Sequence, residues 1–511
     1  MSIHKISRWL AKGLFALWVG AVMLITAQPG CAQTSYGSIV GTVSDASGAQ
    51  IPGVEVTVKN VGTNATLTAK TGSGGTYSLL NLNPGSYTVT VSMASFKTAS
   101  RNQVDVTIGG TTRVDVALEI GDVSETVNVE AAAAPLQTDS ASLGGVVEGR
   151  QVLESPLNGR NVNNLLDFVP GVVPGGGTSG NTMANGGSGS FQAGAQTQAI
   201  AYGNYQIGGG FSGQSLFFID GVGSNVPENN VNSLVPTQDA VQEFRVSTNN
   251  VSAEFGGFAG GVIQISTKSG TNEFHGSAYE YFRNTSLDAN DWFSNHAGLK
   301  RAPLHQNQYG FNVGGPIIKN KLFAFFSFER ESLTSGAIDT FTLPTAAELS
   351  GDFSAVSTPI YDLSTPGFPQ FSCNGVLNVI CPSRIDAISY KILALESPAP
   401  NRPGLVNNFV ATAPIEGAQN QYNARVDYSL GKADSLFARY TFWNPHNGDS
   451  DPLGTKVGAG ATGNTTTEAV VGDNHIFNSS TIADLRLSWL ENYNFQVPLS
   501  NGFDQSTINA N

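Results

Sequence analysis

Histidine is the first place to look for chemistry, and the six histidines of this chain stand as isolated singles. No His-x-x-Glu pair is present to seat a zinc ion. No GxSxG, HExxH or GxxxxGK motif occurs, and no nucleophilic triad can be assembled. Two GxGxxG matches do occur, at Gly175/Gly177/Gly180 and Gly208/Gly210/Gly213. Neither joins a strand to a helix with an acidic residue ~20 positions on, so both read as flexible loop rather than nucleotide site. The sequence therefore predicts no catalytic residues, no metal and no cofactor.

Three cysteines remain. Cys31 follows a basic segment (His4, Lys5, Arg8, Lys12) and an apolar run from Gly13 to Ala27, then the small residues Gly30-Cys31-Ala32. This is the layout of a secretory signal over 1–32, cleaved after Ala32. The run is shorter than the ~20 apolar residues of a membrane anchor. A lipoprotein reading of Cys31 is weakened by Gln28, where an aliphatic residue would be expected. Export implies an oxidising compartment. Cys373 and Cys381, in a Pro/Gly/Ser-rich stretch, are then a disulfide candidate, with two free thiols as the other reading.

The elements that would carry such residues are mainly strands. Charged residues make up only 13% of the 511, and 59 glycines punctuate the chain. That length corresponds to about three or four domains. A net charge of −13 argues against nucleic acid as a partner, because nothing would hold phosphate backbones by bulk charge.

Over 34–120 the alternation is clear. Val54, Val56 and Val58 face one way, and Glu55, Thr57 and Lys59 the other. Tyr87/Val89/Val91, Val104/Val106/Ile108 and Val114/Val116/Leu118 repeat the pattern between turn signals such as Asn83-Pro-Gly85. About seven short strands with one apolar face predict a small β-sandwich. Here "GSIVGTVSDASGAQIPGVEVTVKN" and "GTYSLLNLNPGSYTVTVSMASF" resemble the carboxypeptidase regulatory-like domain. That family has a carbohydrate-binding-like fold and serves as an accessory module, which implies no peptidase activity.

Within 121–131, Val123 to Ala131 reads as an extended strand. The plain reading is a last sandwich strand running into a linker. The sharper one is that Glu125, Thr126, Val127, Asn128 and Val129 resemble a TonB box, a segment that adds as a strand to the sheet edge of a partner, TonB.

The middle, 132–270, is laced with glycine. Helices are expected at Arg150–Ser155, at Arg160–Phe168 (ending at Pro170-Gly171) and, after Pro236, at Asp239–Phe244, which leads into the strand Phe244–Thr248. A buried strand is expected at Ser215–Ile219, closing on Asp220-Gly221. Gly256, Gly257, Gly260 and Gly261 are expected to allow close backbone approach. "SPLNGRNVNNLLDFVPGV", "LFFIDGV" and "VSAEFGGFAGGVIQISTKSGTNEFHGSAYEYFRN" resemble the plug domain of Oar-like TonB-dependent receptors, with Phe258 a departure from the family pattern.

From 271 to 511, strands of about ten residues alternate again. Leu322, Ala324, Phe326 and Phe328 share a face. Tyr422, Ala424, Val426, Tyr428 and Leu430 oppose Asn423, Arg425, Asp427 and Ser429. Leu436, Ala438, Tyr440 and Phe442 oppose Phe437, Arg439 and Thr441. Ala483, Leu485, Leu487 and Trp489 oppose Asp484, Arg486 and Ser488. Period alone does not separate a soluble sandwich from a barrel. Aromatic weight and export favour lipid outside and water inside. Seven strands are expected: 273–283, 307–317, 321–330, 420–430, 435–443, 467–477 and 481–491. The insert 331–418 is assigned to an extracellular loop. Plugged transporters have ~22 strands, and the chain ends on Asn511 without a terminal aromatic strand. The expectation is an incomplete antiparallel outer-membrane β-barrel, the front part of a longer protein.

The resemblance implies an outer-membrane TonB-dependent receptor that takes up a bulky substrate of unknown identity. Its partners would be TonB on the periplasmic side and outer-membrane lipid. The competing class is an adhesion or matrix-binding protein using the sandwich as its binding module. A zinc carboxypeptidase fragment fails for want of ligands.

Overall fold

In the computed structural model, the described residues are 36–123, 126–128, 142–174, 205–211, 213–227, 230, 232–431, 433–448, 451–455, 460–478, 481–504 and 506. The signal-peptide reading, Glu125, Val129 and the first glycine motif at Gly175 to Gly180 lie outside them.

Alternation folds the N-terminal part into two facing sheets. One contains Thr76–Leu82, Gly37–Asp45, Thr111–Arg113 and Val116–Leu118. The other runs in the order Thr66–Lys70, Glu55–Asn60, Gly85–Ser92, Thr98–Val106, Thr126–Asn128. The inward residues Val54, Val56, Val58, Val89 and Val91 are buried and share one core with Ile39, Leu79, Tyr87 and Val104. Each buried valine contributes roughly 1.5–3 kcal/mol relative to exposure.

The middle forms a five-stranded sheet ordered Leu143–Val147, Val241–Asn249, Val262–Thr267, Leu216–Ile219, Val222–Gly223. Every residue of Val262–Thr267 is buried. The segment expected as a helix over Asp239–Phe244 is different. A single 3₁₀ turn, Gln238–Ala240, gives way at once to the strand Val241–Asn249. The ladder with Val262–Thr267 claims those backbone groups, and Val241, Phe244 and Val246 enter the core it builds. The helix expected at Arg150 is Gly149–Glu154. The one expected from Arg160 to Phe168 is instead two 3₁₀ pieces, Asn158–Arg160 and Val162–Phe168, broken where Arg160 takes φ 52°. Gly261 is obligatory, since a Cβ there would lie 2.2 Å from Ile207 Cγ2. Gly260 likewise abuts Ser215, whereas Gly256 and Gly257 approach nothing, and Gly257 serves its φ of +78° instead.

Seven long strands follow, each antiparallel to its neighbour: His275–Asn284, Leu304–Ile318, Leu322–Phe341, Phe409–Leu430, Asp434–Trp443, Thr462–Asn478 and Thr481–Gln496. A short piece, His446–Asn447, completes the eight-stranded sheet. Several strands far exceed ten residues. Leu322–Phe341 pairs with Phe409–Leu430 over its whole length, from Leu322↔Tyr428 to Phe341↔Phe409. The expected loop 331–418 is therefore shorter, because its first and last stretches continue this hairpin beyond the ~30 Å of a bilayer core.

The two faces of this sheet differ sharply. Tyr309, Phe311, Val313, Tyr422, Val426, Tyr440, Leu485, Leu487 and Trp489 are exposed on one. Gln308, Ser327, Glu329, Asn423, Arg425, Arg439, Thr466 and Glu468 are buried on the other. The buried face wraps the middle sheet. Tyr279, Gln308, Glu329, Arg425, Arg439, Thr466 and Arg486, one from each long strand, all reach residues of the middle region.

The sandwich sits at the short-turn end of the strands. Asn64 Nδ2 donates to Asn320 Oδ1 (2.9 Å) in the turn after Ile318, and Asn272 N donates to Gly62 O (2.9 Å). Asn81 Nδ2 donates to Asn474 Oδ1 (3.1 Å), and the Arg486 guanidinium lies 4.9 Å from the Tyr36 ring.

Candidate functional site

The chemistry of the molecule is concentrated where the middle sheet meets the wrapped wall. The strand Leu216–Ile219 ends at Asp220, which turns with φ 49° into Gly221. That turn aims the Asp220 carboxylate at the wall. Arg425 Nη1 lies 2.9 Å from Oδ1, and Arg439 Nε lies 2.8 Å from Oδ2. Thr267 adds an N–H (2.9 Å) and a hydroxyl (2.7 Å). Burial pushes the Asp220 carboxyl up, but the Arg425 and Arg439 charges outweigh it and hold the group below its ordinary value. The arginines are themselves balanced. Arg425 pairs with Asp427 (2.8 Å), and Arg439 with Glu468 (2.9 Å). Arg486 donates to Asp220 O (2.9 Å) and pairs with Asp484 (2.7 Å). The Arg439–Glu468 and Arg439 Nε–Asp220 contacts are ion pairs without aligned hydrogen bonds.

A second cluster lies around Arg160. Its left-handed backbone places the guanidinium between Asp239 (2.5 Å) of the middle region and Glu329 (3.0 Å) of the wall. The cation sits 4.1 Å above the Tyr279 ring and 5.3 Å from that of Tyr281, so stacking adds to charge. Tyr279 Oη and Gln308 Nε2 both donate to Glu329 (2.7 and 3.1 Å).

These charges are nearly dry. Such pairs contribute little net stability, yet removing one partner costs several kcal/mol, because the other is left buried and uncompensated. The arrangement suits a clamp that holds the middle sheet and the wall in one register. Among the described residues no three His, Cys, Asp or Glu side chains gather to hold a metal ion.

A third set joins the middle sheet to the sandwich. Glu243 accepts the Ile108 N–H, and Arg245 Nη1 donates to Gly109 O (3.0 Å). Burial raises the Glu243 carboxyl to about 7, with Glu148 adding to the effect and the Ile108 N–H opposing it. A cavity of about 310 Å³ lies beside these contacts, lined by Tyr36, Asn81, Arg245, Glu254, Phe255 and Gln264.

Of the TonB-box-like residues, Thr126, Val127 and Asn128 form a strand that is not free. It pairs in parallel with the sandwich strand Thr98–Val106, in the register Thr98↔Thr126, Ala99↔Val127, Ser100↔Asn128. Cys373 and Cys381 are joined by a disulfide, with Cα atoms 5.2 Å apart, in the long connection 342–408. The second glycine motif forms turns, with Gly208 at φ +61° and Gly213 at +76°. The clamp residues Asp220, Arg160, Asp239, Glu329, Arg439 and Glu468 were not legible as a site. The available signal was the row of charges on the polar face of the wall strands.

This sheet, apolar outside and charged where it grips an inner body, is that of an outer-membrane β-barrel wall. Residues 266–511 match the family model described as outer membrane beta barrel domain, and residues 38–119 match the carboxypeptidase regulatory-like domain. The chain carries both domains, is mainly β and resides in the cell outer membrane.

It is a homologue of TonB-dependent transporters. The TonB-dependent transporter Oar of Myxococcus xanthus is 30% identical over 320 residues, 61% of this chain and 28% of the relative. The probable TonB-dependent siderophore receptor PirA of Acinetobacter baumannii is 36% identical over 85 residues, 16% of this chain and 10% of the relative. The chain thus spans well under half the length of either. Among solved structures, the outer membrane transporter YddB of Escherichia coli aligns with 68% of this chain and 38% of its own at 10% identity, TM-score 0.41.

Proposed function

We propose that this protein is a TonB-energised outer-membrane receptor that imports a bulky substrate, with the middle sheet as its plug and no covalent chemistry of its own. The observation that carries the reading is the buried clamp, in which Asp220 and Arg160 of the plug engage Arg425, Arg439 and Glu329 of the wall. A plug held by pairs that are costly to break needs mechanical work to shift, and TonB supplies work by pulling on an added strand. The sandwich packs at the short-turn end, which is the periplasmic end of such barrels. That position supports transport over adhesion, since an adhesive module would stand among the long connections.

The test is cysteine scanning across 123–131 in cells that carry a single cysteine in the periplasmic domain of TonB. Disulfide cross-links concentrated at residues 125–129 are expected. Their absence, or an even spread over the sandwich, would refute the reading.

A further inference from the structure

The pairing of Thr126–Asn128 with Thr98–Val106 gives the sandwich a role that its family likeness does not. The approach to this strand is held step by step. Lys97 N donates to Glu119 O (2.8 Å), and Gly121 N donates to Ser95 O (3.2 Å). Phe96 bridges Ile120, and Thr98 Oγ1 donates to Val123 O (2.8 Å). Residues 119–123 and 126–128 are thus laid along Ser95–Ser100. The sandwich is itself fixed to the barrel turns through Asn64–Asn320, Gly62–Asn272 and Asn81–Asn474, and to the plug through Ile108–Glu243 and Gly109–Arg245.

Force on a segment so held is borne by the sandwich and its anchors. It reaches the plug strand Leu143–Val147 only after Thr126–Asn128 has left the sandwich edge, through the connecting residues 129–142. The berth is short and parallel, and parallel ladders are slightly weaker per residue than antiparallel ones. A longer strand offered by a partner can outcompete it.

We infer that the sandwich is an inhibitory berth: the edge at Thr98–Ser100 and an added TonB strand compete for the backbone of Thr126–Asn128. This rests on the TonB reading of the segment. Affinity for TonB is then lowered by the fraction of time the segment is free, so a segment free about a tenth of the time binds roughly tenfold more weakly.

The experiment measures binding of purified TonB periplasmic domain to the detergent-solubilised full chain. A Thr98→Cys/Thr126→Cys pair, at directly opposed positions, locks the berth when oxidised. Oxidation is expected to weaken binding at least tenfold relative to the same variant reduced. Thr98→Val, which keeps the side-chain shape and removes the hydroxyl bond to Val123, is expected to tighten binding several-fold. Equal binding by the oxidised and reduced pair, with no change in Thr98→Val, would overturn the berth while leaving the TonB reading standing. Failure of the wild type and the reduced pair to bind at all would overturn both.

Discussion

Arg425 of the barrel wall holds Asp220 of the middle sheet at 2.9 Å, with both side chains less than one-tenth exposed. Asp220 also faces Arg439, so one carboxylate joins two strands of the wall to the end of one strand of the middle sheet. Asp220→Asn keeps the shape and removes the charge. It is expected to cost about 3–5 kcal/mol of the anchoring between middle sheet and wall, the magnitude for breaking a buried pair. Amide exchange of Leu216–Ile219 in the full chain checks this: it accelerates if the clamp holds the strand. Because the Asp220 carboxyl is held below its ordinary 3.8, its contribution is complete above that value and is lost only as pH falls through the depressed one. The Asp220 carboxylate is therefore charged at neutral pH.

The contact between the middle sheet and the sandwich has the opposite pH sense. Burial raises the Glu243 carboxyl from its ordinary 4.5 to about 7. Glu148, Asp105 and Arg245 face it. A raised acid contributes its stability in full below the ordinary 4.5 and loses it as pH climbs to about 7. Protection of the Ile108 and Gly109 amides is therefore expected to fall between these limits. Glu243→Gln is expected to flatten the profile. A wild-type profile that is flat over the same range would contradict the assignment.

Outward residues of the wall are expected to tolerate apolar change and reject charge. Leu487 is 69% exposed on the face opposite Asp484 and Arg486. Leu487→Arg is expected to cost about 2–4 kcal/mol at mid-bilayer. Folding titrations in lipid vesicles read this, with Leu487→Phe near neutral.

The sequence showed most where a single period rules. Val54/Val56/Val58 and Leu485/Leu487/Trp489 sort by face because a strand's side chains alternate whatever it packs on. Lengths were less legible. Glu331 and Leu333 point inward beyond the predicted end of their strand, where the apolar outer row has already stopped. The segment Asp239–Phe244 was misread because its helical signal was local, while its ladder with Val262–Thr267 is not. The clamp was least legible of all. Asp220 and Arg425 lie 205 residues apart, and only the wrapping of the wall around the middle sheet makes them neighbours. Of the TonB-box-like run, the plain reading as a last sandwich strand matches the pairing of Thr126–Asn128 with Thr98–Val106, while the parallel register was not legible, because an edge partner leaves no mark in spacing.

Whether work enters through the segment at 123–131 decides the account. Proline at position 126 removes a backbone donor from the strand that a partner must grip. Affinity of the purified TonB periplasmic domain for the full chain, wild type against Thr126→Pro, is the direct measurement. The account predicts saturable binding by the wild type and none by the variant, with the barrel's resistance to heat unfolding unchanged. Equal binding by both would contradict it.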